Sequence, residues 1–139
     1  MDNRRDFFAV LGAAMLAAGA QPAGAKVADA VLVAKDAQKL DHPFGVQHIY
    51  YQGPTDMLEI FEGGCLNLLP GMEPHPPHKH PEEEILLVAS GRGEISVDGV
   101  ITTAGPGAMM FTAAEKLHGI KNTGKEPMLF YYFKWKARS

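Results

Sequence analysis

The sequence holds a single cysteine, Cys65, in 139 residues, which rules out an intramolecular disulfide. A chain of this kind stands on its hydrophobic core, and Cys65, set in Cys65-Leu66-Asn67-Leu68-Leu69, reads as a small buried hydrophobe rather than a ligand or a reactive thiol. Excess charge is also missing: 13 basic against 16 acidic residues leave a net charge of -3, with the positive residues scattered. That pattern carries neither the basic patch of a nucleic-acid-binding domain nor the polybasic stretch of a membrane-surface protein. The chain is one domain long, and 46% hydrophobic with 21% charged residues fits an ordinary globular core. The expected partners are a small molecule and another copy of the chain, as a homodimer.

The N-terminus reads as an address. Asn3-Arg4-Arg5-Asp6-Phe7-Phe8 is a twin-arginine signature, followed by an Ala- and Gly-rich run from Ala9 to Ala20. Gln21-Pro22 breaks the run, and Ala23-Gly24-Ala25 offers a small-x-small cleavage site. Residues 1–25 are therefore expected to be a signal peptide, cleaved after Ala25 once the twin-arginine export machinery has delivered the protein to the periplasm. The run is shorter than the roughly 20 residues that span a bilayer, so a permanent membrane anchor is the weaker reading.

Beyond Leu40, short strand-like runs alternate with turn residues. The runs are Val46 to Tyr51, Met57 to Phe61, Cys65 to Leu69, Glu84 to Ala89, Glu94 to Val97, Val100 to Thr103, Ala108 to Phe111 and Met128 to Trp135. Between them lie Gly53-Pro54, Gly63-Gly64, Pro70-Gly71, Gly91-Arg92-Gly93, Asp98-Gly99 and Gly105-Pro106-Gly107, leaving no room for crossover helices. The class is all-β, as a sandwich or barrel, with residues 26–41 an N-terminal arm and 42–139 the barrel domain. Within the arm, Val27, Val31 and Ala34 allow a helical face and Val31-Leu32-Val33 an edge strand. Asp98-Gly99 is the clearest hairpin turn. In the last run Leu129, Tyr131, Phe133 and Trp135 share one face and Met128, Phe130 and Tyr132 the other, so both faces are expected to be covered.

The most informative stretch is Gly71 to Gly91. His78 and His80, two apart on extended chain, point to one side, and Glu84 shares their parity as it enters the apolar run Ile85-Leu86-Leu87-Val88. A carboxylate carried into a dry interior calls for a cation. His118 supplies a third imidazole. Three imidazoles and one carboxylate suit iron, manganese, nickel, copper or zinc better than calcium. His75 lies out of step with His78 and His80 and is placed at the rim, His42 and His48 read as structural, and Glu82 and Glu83 as solvated.

These residues resemble the cupin superfamily of small double-sheeted barrels. The first of its two motifs runs from Pro70-Gly71 through His78-Lys79-His80 to Glu84 and Gly91, and the second from Ala104-Gly105-Pro106-Gly107 to His118 and Asn122. The resemblance covers roughly Val46 to Trp135. It implies a double-stranded β-helix, the cupin jelly-roll barrel, with His78, His80, Glu84 and His118 as ligands of one divalent transition metal. Six residues separate Gly71 from His78 where the usual pattern has five, and Thr112-Ala113-Ala114 stands where a later proline is common. Export after folding favours manganese or iron, loaded in the cytoplasm, over zinc, nickel or copper.

The expected function is a metal-dependent, dioxygenase-like oxidoreductase acting on a small molecule, with Glu84 as the catalytic residue, leaving the ion to act as a base. The alternatives are a Lewis-acid isomerase or decarboxylase and a non-catalytic periplasmic binding or metal-storage module, since no acid-base pair is evident beyond the ligands. Alternation places Asn67, Leu86, Val88, Ile120, Tyr131 and Phe133 on the pocket wall, with Tyr131 hydrogen-bonding in the second sphere.

Overall fold

The computed structural model describes residues 24–139. The twin-arginine signature lies outside them. Nine strands follow a single 3-10 turn at Ala34–Asp36: β1 (Gln38–His42), β2 (Gly45–Gly53), β3 (Leu58–Leu68), β4 (Glu83–Ser90), β5 (Gly93–Val97), β6 (Val100–Ala104), β7 (Met109–Thr112), β8 (His118–Lys121) and β9 (Met128–Ala137). They form a six-stranded sheet, β1-β2-β3-β9-β4-β7, and a three-stranded sheet, β6-β5-β8, with every pairing antiparallel. This is the expected all-β jelly-roll. Among the described residues no helix is long and apolar enough to cross a membrane.

Alternation along the strands fills the space between the sheets. Leu66 and Leu68 of β3, Leu86 and Val88 of β4, Ile95 of β5, Met110 of β7, Ile120 of β8 and Met128, Phe130 and Tyr132 of β9 form one buried cluster. Leu68 and Met128, both fully buried, each contribute roughly 1.5–3 kcal/mol of hydrophobic stabilisation. The hairpin at Asp98-Gly99 has the expected form. Both residues adopt positive φ, 48° and 82°, and Val97 pairs with Val100 across the turn.

Three expectations are corrected. Gly63-Gly64 is not a turn, because β3 runs unbroken through it. A Cβ on Gly64 would meet the His48 carbonyl and stand 2.8 Å from the Tyr132 hydroxyl, so the glycine admits close neighbours rather than reversing the chain. In the arm, Val31 to Val33 forms neither helix nor strand, and the edge strand lies at Gln38–His42 instead. The third correction concerns β8, a strand of only four residues absent from the sequence reading: His118-Gly119-Ile120-Lys121 has no alternating apolar run long enough to declare itself.

Candidate metal centre

Two chain segments deliver the site. The loop between β3 and β4 carries His78 and His80, and its backbone is tied to β8 by a reciprocal pair. His78 N–H donates to the His118 carbonyl and His118 N–H to the His78 carbonyl, both at 2.9 Å. Glu115 sits at φ 62°, in the left-handed region, and its N–H donates to the His80 carbonyl at 2.8 Å. Asn122, fully buried, holds the base of the same loop. Its side-chain amide donates to the carbonyls of Leu68 and Glu126, its side-chain oxygen accepts from Gly124 N–H, and its backbone exchanges bonds with Gly71 and Met72. Asn122 therefore fixes the turn, and its side-chain hydrogen bonds go to Leu68, Glu126 and Gly124 rather than to His118.

His78, His80 and His118 come together with ligand atoms within 4.8 Å of one another. Their ring centroids are 4.8–5.2 Å apart and their planes cross at 72–83°, so the rings meet like the walls of a corner. Glu84, at the start of β4, closes the set: one carboxylate oxygen lies 3.0 Å from His80 Nε2 and 2.9 Å from His118 Nε2.

The hydrogen bonds behind the rings test whether this donor set fits a metal. His80 Nδ1 faces the Glu82 carbonyl at 3.0 Å and His118 Nδ1 the Lys116 carbonyl at 2.8 Å. A carbonyl only accepts, so each Nδ1 carries a hydrogen and each Nε2 turns its lone pair inward. Two lone pairs then converge on a carboxylate oxygen, which also only accepts. One proton can bridge only one of these contacts, whereas a divalent ion satisfies all of them. The arrangement fits a transition metal.

Burial opposes the charge on Glu84, but without a metal a proton on His118 or His80 turns that contact into a charged hydrogen bond, which outweighs burial and holds the carboxyl below its usual range. The Glu84 bond raises His118 against the opposing effect of burial. Burial, then the neighbouring His75, His118 and His80, lower His78 to about 4, leaving it neutral. Metal affinity is expected to fall on acidification, with the sign set by His118. Above its raised pKa the incoming ion displaces no proton from this ring, and below it the ion must displace one. Apparent manganese affinity should drop about tenfold per pH unit there, with His78 adding nothing until about pH 4, as calorimetric titration at stepped pH would measure.

A cavity of about 200 Å³ opens onto the four side chains. Leu66, Leu86, Met110, Ile120 and Phe130 form its apolar walls, and Gln47, Glu62, Tyr132 and Lys134 its polar ones. His75 stands exposed at the mouth, stacked on His78 at 3.7 Å. Leu86 and Ile120 line the cavity as expected, but Tyr131, Phe133, Asn67 and Val88 do not. The pairing of Gly64 with Tyr132 and of Glu62 with Lys134 sets the inward parity of β9, so Tyr132 replaces Tyr131.

The polar wall was missed in the sequence. Lys134 lies between two carboxylates, opposite Glu62 on β3 and Glu84 on β4, and its ammonium is 3.0 Å from Glu62. Glu62, buried, also accepts from the Gln52 amide at 2.9 Å. The signal was there: Glu62 shares parity with Leu66 and Leu68, so a charge points inward. Elsewhere His42 stacks on Phe44, and Cys65 is buried, with burial pushing its thiol up.

Residues 65–133 match the family model described as the cupin domain, Cupin_2. The barrel belongs to the cupin superfamily. Among solved structures, this cupin is similar to an RmlC-like cupin from Shewanella frigidimarina at 17% identity, covering 81% of this chain and 96% of that one with a TM-score of 0.67. It is likewise similar to KdgF from Halomonas sp., at 18% identity over 81% and 96% of the two chains and a TM-score of 0.64. A Cupin 2 conserved barrel domain protein from Salinispora arenicola is 28% identical over 55% of this chain and 64% of its own, with a TM-score of 0.51. At such identities the first two likenesses establish the fold alone. No curated protein sequence matches the chain.

Proposed function

We propose that this cupin is a metal-dependent enzyme that moves a proton on a small oxygen-rich molecule, with His78, His80, Glu84 and His118 holding the ion. The observation that carries this reading is a second ionisable pair, Glu62 with Lys134, facing the same cavity as the donor set. A storage site is sealed by its side chains, whereas this one opens into a largely apolar cavity with converging polar groups. A divalent ion bound there supplies Lewis acidity to the oxygen atoms of the bound molecule. Glu84 stays ionised and orients His80 and His118. Glu62 faces the cavity as the proton acceptor, Lys134 stabilises its charge, and the apolar walls limit water.

A second reading, the dioxygenase-like oxidation, is favoured by the donor set itself, since three imidazoles and one carboxylate suit manganese or iron and leave about two positions open. The test is manganese-loaded protein incubated in deuterium oxide with three- to six-carbon hydroxy and oxo acids, read by proton NMR beside an oxygen electrode. Deuterium uptake by one acid, lost in Glu62→Gln, supports proton transfer. Oxygen consumption without exchange supports oxidation, and neither signal would contradict an enzyme of either kind.

Export belongs to the same proposal. Arg4-Arg5 and the Ala23-Gly24-Ala25 site support twin-arginine delivery to the periplasm, and Arg4→Lys with Arg5→Lys should leave the protein in the cytoplasmic fraction. A homodimer is supported by the apolar residues left exposed at the β7 edge, Met109 and Phe111, and on the outer face of β9, Phe133. Light scattering giving a monomer mass at high concentration would end that part.

A further inference from the structure

The polar wall has a hydrogen-bonding pattern that selects among small oxygen-rich molecules. His42 Nε2 lies 2.8 Å from the Gln47 side-chain oxygen, and the Gln47 amide donates to the Tyr132 hydroxyl at 2.7 Å. The hydroxyl hydrogen of Tyr132 has no acceptor among the described residues. Beside it, Lys134 commits one of its three N–H groups to Glu62, and each Glu62 oxygen accepts once, from Lys134 or from Gln52. The wall thus offers a spare O–H, spare N–H groups and spare carboxylate lone pairs side by side. An anionic group placed here meets Glu62, and an apolar group leaves buried polar atoms unpaired. A hydroxyl donates and accepts at once and satisfies both kinds.

We infer that Tyr132, Glu62 and Lys134 form a subsite for the hydroxyl groups of a polyhydroxylated acid whose other end meets the four-residue donor set. The assignment rests on the metal-dependent reading of that set. The two ends divide the work. A divalent ion outweighs the charge of Glu84 and attracts a carboxylate, while the neutral Glu62–Lys134 pair takes uncharged hydroxyls. The relay from His42 through Gln47 positions the Tyr132 ring, and Gly64 leaves room for its hydroxyl.

A matched pair of probes isolates the subsite. Erythronate and 2-hydroxybutyrate have the same four-carbon length and the same chelating 2-hydroxy acid end, and differ in two distal hydroxyls. Titration calorimetry on the manganese-loaded protein should show erythronate binding about tenfold tighter or more. That preference should shrink toward unity in Lys134→Met and fall several-fold in Tyr132→Phe, with manganese content and 2-hydroxybutyrate affinity retained in both. Tyr132→Phe preserves ring volume, so it keeps the test intact if Lys134→Met fails to fold. Equal affinities in the unmodified protein, no erythronate binding, or a preference surviving in both variants overturns the subsite alone. Failure to take up manganese at all overturns the metal reading and the subsite together.

Discussion

His118→Ala should lose at least about a hundredfold in manganese affinity, more than a change behind the ligands would cost. The reason is geometric. His118 is the buried imidazole of the three, it shares the Glu84 oxygen with His80, and its backbone forms the reciprocal pair with His78. Because alanine keeps that backbone pair, the loop carrying His78 and His80 should hold its place while the metal corner loses a wall. Calorimetric titration with manganese checks the affinity, and circular dichroism checks that the fold survives. Near-normal affinity in the variant would mean that the ion is held elsewhere.

Asn122→Ala should cost the metal-free protein about 3 kcal/mol, the largest stability loss expected of a single substitution outside the core. Three side-chain hydrogen bonds disappear in a fully buried place, and the Leu68 carbonyl is left without the amide that satisfies it. Each such loss costs about 1–3 kcal/mol. The effect should reach the site, because the same turn carries the backbone bonds to Gly71 and Met72 that fix the base of the ligand loop. Denaturant unfolding measures the first effect and metal titration the second. A loss below about 1 kcal/mol would show that water replaces the amide.

The parts of this protein that repeat a pattern were legible in its sequence, and those set by register were not. Asp98-Gly99 declared its turn because two adjacent residues must both take positive φ. The even spacing of His78, His80 and Glu84 anticipated residues that the structure gathers, and His118 joined them through its place in the second motif. Tyr132 was another matter. Both faces of β9 are apolar, so composition could not choose between Tyr131 and Tyr132, and only the pairing with β3 does so. Gly63-Gly64 misled for a related reason, since glycine marks a turn and a close approach alike, and here the approaching atoms belong to distant β2 and β9. Glu62 and Lys134 escaped because each looks solvated alone and acquires its meaning from its opposite strand.

The central claim is that His78, His80, His118 and Glu84 surround one ion in the wall of the cavity. X-ray absorption at the metal edge of stoichiometrically loaded protein tests it most directly. The account predicts a nearest shell of nitrogen and oxygen at about 2.0–2.2 Å with outer-shell scattering from three imidazoles. A shell of oxygen with one imidazole or none, or a sulfur neighbour from Cys65, would contradict it.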